Sequence, residues 1–400
     1  RMGVRRIPPH RHGPGMTKDT ATRLIHTRGR RMDQKTVNPP IERASTVLFD
    51  TASDLYGAQP GYGRMGLTVH RELEAALCVL ENATHAKLTA NGLQACALAI
   101  GSQVKAGDHV LFTDSAYGPT ARYLERRLDR MGVGATRFDP RCGAAISNLI
   151  KPNTRIIYLE SPGSLTFEIS DTPAIVEIAQ KRGICTILDN TWGAGLLHKP
   201  LDLGVDISVQ ALTKYAVGHA DIFGGAVMSR DKRVAQQIID CGEDWGISLA
   251  PDDAYTALRG LRSLKTRMDA HEAAGLKLAQ WLSGRAEVSQ VLHPALEEHP
   301  DHALWKRDFS GSNGLFSVIL EAVDPAVLKR FFDALELFSM GFSWGGFESL
   351  IIPCDPQLKR AKGHWIEQKD GPLLRIHVGL EGTDDLIADL EAGFEAMRGS

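Results

Sequence analysis

Between residues 110 and 227 short apolar runs alternate with amphipathic stretches. The runs are Val110-Leu111-Phe112, Arg155 to Leu159, Cys185 to Leu188, Ile207-Ser208-Val209 and Gly225-Ala226-Val227, and helical periodicity fills the gaps, as in Pro119 to Met131 and Pro173 to Arg182. Near-continuous apolar strands joined through helices predict a mainly parallel sheet with helices on both faces. Past Pro251 the texture changes. A long helical period covers Asp252 to about Leu282, strands are predicted at Leu315 to Leu320 and Leu374 to Val378, and a closing helix at Asp384 to Met397. This reads as a smaller α+β domain over residues 251–400, following an α/β domain over 69–250.

Ahead of both, Thr17 to Thr68 is polar, holds neither period and is broken by Pro39, Pro40 and Pro60. A segment without its own core must lie on something, so it is expected to be an extended arm. Residues 1–15, rich in Arg, His and Pro, read as a cloning remnant or an over-extended start, with Met16-Thr17-Lys18 as a natural beginning.

Composition removes several classes. The 400 residues carry 46 Lys plus Arg against 48 Asp plus Glu, a net charge of -2 that offers no field for a phosphate backbone or an anionic membrane. No apolar run is long enough to span a bilayer. The six cysteines form no C-x-x-C pair and sit mostly among apolar residues, which predicts reduced thiols and a cytoplasmic protein.

Candidate chemistry comes from a few positions. Gly61-Tyr62-Gly63-Arg64-Met65-Gly66 has the G-x-G-x-x-G spacing, but Ala58-Gln59-Pro60 precede it where a dinucleotide site needs a buried strand, so it reads as a loop. Arg122, Arg126, Arg127 and Arg130 are interleaved with Glu125 and Asp129, which predicts a solvated, paired helix face. His293, His299 and His302 lack a ligand pattern and read as a surface loop, so no metal is expected. Asp189 ends an apolar run at a strand's carboxyl edge, where open α/β sheets place ligands, although alone it is more simply a turn cap. Lys214 follows another apolar-alternating run about 25 residues later, and alone it would be a solvated lysine. Together they fit pyridoxal phosphate, which requires an amine for a Schiff base and an anion for its ring nitrogen. Gly92 stands where a helical pattern begins and would free backbone N–H groups for the phosphate, or form a plain turn.

These pieces, in this order, resemble the pyridoxal-phosphate enzymes of cysteine and methionine metabolism. The likeness runs from Thr17 to the end through Tyr62-Gly63-Arg64, Asp114-Ser115-Ala116-Tyr117, Glu160-Ser161-Pro162-Gly163-Ser164, Asp189-Asn190-Thr191-Trp192, Thr213-Lys214-Tyr215, Ser343-Trp344-Gly345-Gly346 and Arg375 to Glu381. It implies the fold type I, aspartate-aminotransferase-like architecture, with Lys214 binding the cofactor and Asp189 facing its ring nitrogen. Tyr117 would stack on the ring, and the phosphate would take Gly92, Leu93, Thr213 and Ser208. The resemblance places Tyr62 and Arg64 of the arm at the neighbouring subunit's phosphate and substrate, which makes the protein a homodimer sharing active sites and pairing into a homotetramer. Arg375, with Ser343 and Trp344, would take the substrate carboxylate. Lys214 and the tyrosines Tyr62 and Tyr117 are the expected proton carriers, with the lysine's pKa depressed by desolvation or by a cation such as Arg64.

Trp192, Ala211 and Ser343-Trp344 resemble the β-acting lyases, whereas γ-acting relatives carry Phe, Ser and Ser-Leu there. The resemblance therefore implies β-elimination from L-cystathionine to homocysteine, pyruvate and ammonia in methionine biosynthesis. The alternatives are a γ-lyase, a γ-synthase or a cysteine desulfhydrase side activity. Ala220 and Met65-Gly66-Leu67 depart from the family's usual pattern.

Overall fold

The computed structural model describes residues 18–27, 36–57, 61–361 and 371–399, so residues 1–15 lie outside the described residues. The arm carries two short helices, α1 (Thr20–Ile25) and α2 (Ala52–Leu55). Then follow α3 (Thr68–Glu81), β1 (His85–Thr89), α4 (Gly92–Gly101), β2 (His109–Thr113), α5 (Gly118–Arg122), β3 (Gly134–Phe138), β4 (Thr154–Glu160), α6 (Thr172–Lys181), β5 (Cys185–Asp189), β6 (Ile207–Ala211), β7 (Gly225–Ser229) and α7 (Lys232–Asp244). The C-terminal part comprises α8 (Pro251–Ser283), β8 (Val288–Leu292), α9 (His302–Asp308), β9 (Leu315–Leu320), α10 (Pro325–Ala334), β10 (Leu350–Pro353), β11 (Leu373–His377) and α11 (Thr383–Arg398).

Seven strands form the main sheet in the order β1-β7-β6-β5-β4-β2-β3, in which β7 alone runs against its neighbours. Period-two alternation divides its central strands between two cores. Val110, Phe112, Ile156, Tyr158 and Ile187 point into a cluster with Ala95, Leu98 and Ile100 of α4 and Val234 and Ile238 of α7. Leu111, Ile157, Leu159 and Leu188 point the other way, onto Ile175, Val176 and Ala179 of α6. Each such side chain contributes about 1.5–3 kcal/mol on burial, so both helical layers are tightly held to the sheet.

The second sheet, β10-β11-β9-β8, is antiparallel, with Leu374 and Ile376 of β11 buried against Leu386, Leu390 and Phe394 of α11. The 33-residue α8 begins at Pro251 with Asp252 and Asp253 in its first turn, and packs on both α3 and β8. It ties the two sheets together.

Two expectations need correction. His293 and His299 are buried rather than on a surface loop: His293 Nδ1 accepts from the Ala295 N–H at 3.2 Å and His299 Nδ1 from the Asp301 N–H at 3.1 Å, so the rings satisfy the turns that enclose them. Glu125 pairs with Arg137 on β3 at 2.5 Å, not with an arginine of its own helix, although Arg122, Arg126, Arg127 and Arg130 are exposed as expected.

Candidate active site

A cavity of about 720 Å³ opens at the carboxyl edge of the main sheet, where β4, β5 and β6 end at Glu160, Asp189 and Ala211, all of which line it. Lys214 stands in the turn after β6. Its Nζ donates to Ser343 Oγ at 2.6 Å and lies 5.1 Å from the centre of the Trp344 ring. Burial first, then the Arg375 charge, lowers its pKa from 10.5 to about 8. Within the chain, the cation acting on it is Arg375.

Arg375 and His377 alternate on β11 and both reach the loop above Lys214. Arg375 Nη2 donates to the Ser343 carbonyl at 2.9 Å, and the Gly345 N–H donates to His377 Nε2 at 3.1 Å. Gly345 has φ +82°, and a Cβ there would stand 2.7 Å from the Tyr215 nitrogen, so this loop can close on the lysine turn only with glycine. Arg375 is buried, its Nε lacks a partner, and among the described residues no carboxylate pairs with it. A buried guanidinium of this kind can take an anion.

On the cavity floor, Asp189 Oδ1 accepts from the Thr191 N–H at 3.0 Å and the Thr191 hydroxyl at 2.5 Å. Burial raises its pKa, and these bonds oppose the shift. Tyr117, about half exposed toward the cavity, caps the start of α5. At the other end, Asn91 Oδ1 takes the Gln94 N–H and its carbonyl takes the Ala95 N–H, and among the described residues the Gly92 and Leu93 N–H groups at the α4 N-terminus have no partner. Gly92 is packed so closely on β6 that a Cβ would meet that of Ala211 at 2.4 Å. Free first-turn donors at a helix start suit a phosphate.

The family model for Cys/Met metabolism PLP-dependent enzymes matches residues 21–395. The chain belongs to that family. Among proteins of known function it is 41% identical to the cystathionine beta-lyase of Haemophilus influenzae, over 95% of this chain and 98% of that protein. It is 40% identical to cystathionine beta-lyase MetC of Escherichia coli over 94% and 98%. Among solved structures, the cystathionine gamma synthase of Xanthomonas oryzae in complex with cystathionine superposes with a TM-score of 0.90 at 30% identity, covering 96% of this chain and all of that one.

Pyridoxal phosphate is the family's cofactor, and this chain's residues suit it: an amine with a lowered pKa, a buried carboxylate in the same cavity, and a pair of helix-start donors. Thr213 lines the same space, although its hydroxyl also bonds the Gly224 backbone, accepting from the N–H at 3.1 Å and donating to the carbonyl at 3.3 Å. Ser208 does not belong there. Strand alternation sends Val209 toward α4 but turns Ser208 and Gln210 to the opposite face, beside buried Glu81 of α3. Ser343, Trp344, Trp192 and Leu93 all line the cavity.

Tyr62 and Arg64 are not brought to Lys214 within one chain. They border a separate groove of about 530 Å³ with Arg43, His70 and Asp252, and Arg64 donates to the Glu243 carbonyl at 3.3 Å. Sequence reasoning gave no role to Glu160, His377, Phe223 or Phe342. Glu160 ends a buried run just as Asp189 does, a signal that was available. The two phenylalanines, exposed at 71% and 80%, sit at the cavity mouth in segments without periodicity.

Proposed function

We propose that this PLP-dependent enzyme catalyses β-elimination of L-cystathionine to L-homocysteine, pyruvate and ammonia in methionine biosynthesis. The observation that carries the reading is Arg375, a buried cation with no anionic partner among the described residues, in the same cavity as a lysine whose pKa is lowered to about 8. An α-amino acid offers the carboxylate for the first and the amino group and α proton for chemistry at the second. Trp192, Ala211 and Trp344, the β-lyase-like positions, all border that cavity.

In this reading Gly92, Leu93 and Thr213 hold the phosphate, Asp189 faces the ring nitrogen and Tyr117 forms a flat wall for the ring. The cofactor, when bound, would supply an aldehyde for the substrate amine and a conjugated ring able to accept the electron pair left on the α carbon when its proton is removed. Arg375 grips the α-carboxylate through its guanidinium edge, while Ser343, tied to it through its carbonyl, closes the site from above. Lys214 accepts the α proton at Nζ. An ordinary lysine would be charged at neutral pH, whereas burial beside Arg375 leaves a usable neutral fraction. Asp189 keeps an anionic oxygen opposite the ring nitrogen and so holds a proton there. Burial raises the pKa of the Tyr117 phenol, so it stays protonated as a wall and a donor.

Tyr62 and Arg64 complete the site of a second chain in a homodimer, and two dimers form a tetramer; the exposure of Tyr62, at 46%, supports this assignment. The cytoplasm is the proposed location, supported by six free cysteines. No helix among the described residues is long and apolar enough to cross a membrane. The test is identification of the thiol released from L-cystathionine: homocysteine is expected, and cysteine would move the protein to the γ-acting branch.

A further inference from the structure

β4 and β5 are parallel neighbours whose register pairs Glu160 with Asp189. Both residues end their strands and both line the cavity, so two carboxyl groups stand side by side on its wall, Asp189 buried and Glu160 partly buried. Two such groups do not both ionise readily. The donors around them decide which keeps the charge. Asp189 Oδ1 takes two donors from Thr191, while Tyr158 Oη and Cys96 Sγ approach its Oδ2 at 3.5 and 3.6 Å. Among the described residues, the Glu160 carboxyl takes only the Tyr117 N–H, at 2.6 Å. Arg360, the cation acting on Glu160, is bonded to the Asp114 and Ser164 carbonyls and the Thr166 hydroxyl. Besides Asp189 and Arg360, the titratable groups that feel Glu160 are Tyr117, Tyr158 and Cys96, which are not cations.

We propose that Glu160 is a positioning residue of this site: as a neutral carboxylic acid it fixes the Tyr117 backbone at the cavity wall and leaves Asp189 the single negative charge on the floor. Tyr117 is the residue that starts α5, so an anchor on its N–H sets where its ring stands. Burial and then the Asp189 charge push the Glu160 carboxyl well above its usual range, in agreement with this assignment. The inference rests on the reading of this cavity as the cofactor site.

The test compares Glu160→Gln and Glu160→Ala with the wild type in two ways. The first uses the cofactor-free protein. A carboxyl raised above its ordinary value of 4.5 must take up a proton on folding, so wild-type stability falls as pH climbs above that value, whereas the amide has no such dependence. The melting temperature of Glu160→Gln minus that of wild type should therefore rise as pH climbs above the carboxyl's ordinary value of 4.5; a flat difference would mean an ionised Glu160 and overturn the proposal.

The second reads the pyridoxal phosphate dissociation constant and kcat. Glu160→Gln keeps an acceptor for the Tyr117 N–H and should stay within about three-fold of wild type, while Glu160→Ala should lose about ten-fold or more. An alanine variant that binds and turns over normally, or a glutamine variant as damaged as alanine, refutes the positioning role. If wild type itself bound no pyridoxal phosphate, the reading of the cavity would fail, while the melting comparison would still decide the protonation of Glu160.

Discussion

Gly92→Ala should uncouple the α4 N-terminus from β6 and weaken cofactor binding. The added Cβ would stand 2.4 Å from the Ala211 Cβ and 3.0 Å from its Cα, whereas carbon atoms rest about 3.5–4.0 Å apart. The first turn of α4 must then retreat by about 1 Å, and overpacking of this kind costs about 1–3 kcal/mol. The retreat moves the Gly92 and Leu93 N–H groups off the phosphate. A hydrogen bond to a charged group contributes about 1.5–3 kcal/mol, so losing the better part of two raises the dissociation constant for pyridoxal phosphate about a hundred-fold or more. The assay is a titration of cofactor-free protein with pyridoxal phosphate, followed by visible absorbance and checked by equilibrium dialysis. Ala211→Gly removes the nearer opposing carbon and leaves the Cα at 3.0 Å, so the double variant Gly92→Ala/Ala211→Gly should regain part of the affinity, with a coupling of about 1 kcal/mol or more. Normal binding by Gly92→Ala, or a double variant no better than the single, would refute the packing argument.

Other consequences follow from the same geometry. Arg375→Lys should raise KM for L-cystathionine strongly, because an ammonium cannot reproduce a two-pronged carboxylate contact; an unchanged KM would move the carboxylate site elsewhere. In the cofactor-free protein, the depressed Lys214 pKa destabilises the fold below pH 8, and the penalty is relieved as pH rises from about 8 toward 10.5. Wild type should therefore gain about 3 kcal/mol on Lys214→Met across that window in chemical denaturation, and parallel curves would contradict the shift. Lys214→Ala and Arg64→Ala proteins, each impaired alone, should recover about a quarter of wild-type activity when unfolded and refolded together, since about half the dimers are mixed and each mixed dimer has one intact site. No gain over the parents' average, with wild type recovering in the same procedure, would place Arg64 in its own chain's site.

What the amino-acid pattern disclosed depended on how local its cause was. The 33-residue α8 and the buried β9 were legible because a long amphipathic period and an apolar run broken only by Ser317 each suffice without knowledge of neighbours. The strands β1 and β3 were not, since His85-Ala86-Lys87-Leu88-Thr89 and Gly134-Ala135-Thr136-Arg137-Phe138 lie at the two edges of the sheet and mix polar with apolar residues. Lys214 and Asp189 could be singled out because both stand at the ends of apolar runs. The face of a strand is harder to read. Ser208 lay on the correct strand, but only its parity with Val209 and Ala211, which needs the position of α4, shows that it points away. Likewise His293 and His299 sit in a polar loop whose burial arises from the turns that close over it.

The central claim is the β regiochemistry of elimination, and one incubation tests it most directly. L-cystathionine is given to the purified enzyme loaded with pyridoxal phosphate, and the oxo acids formed are separated and quantified at early times. The account predicts pyruvate, in step with ammonia and homocysteine. 2-Oxobutyrate as the dominant oxo acid, with cysteine as the thiol, would contradict it.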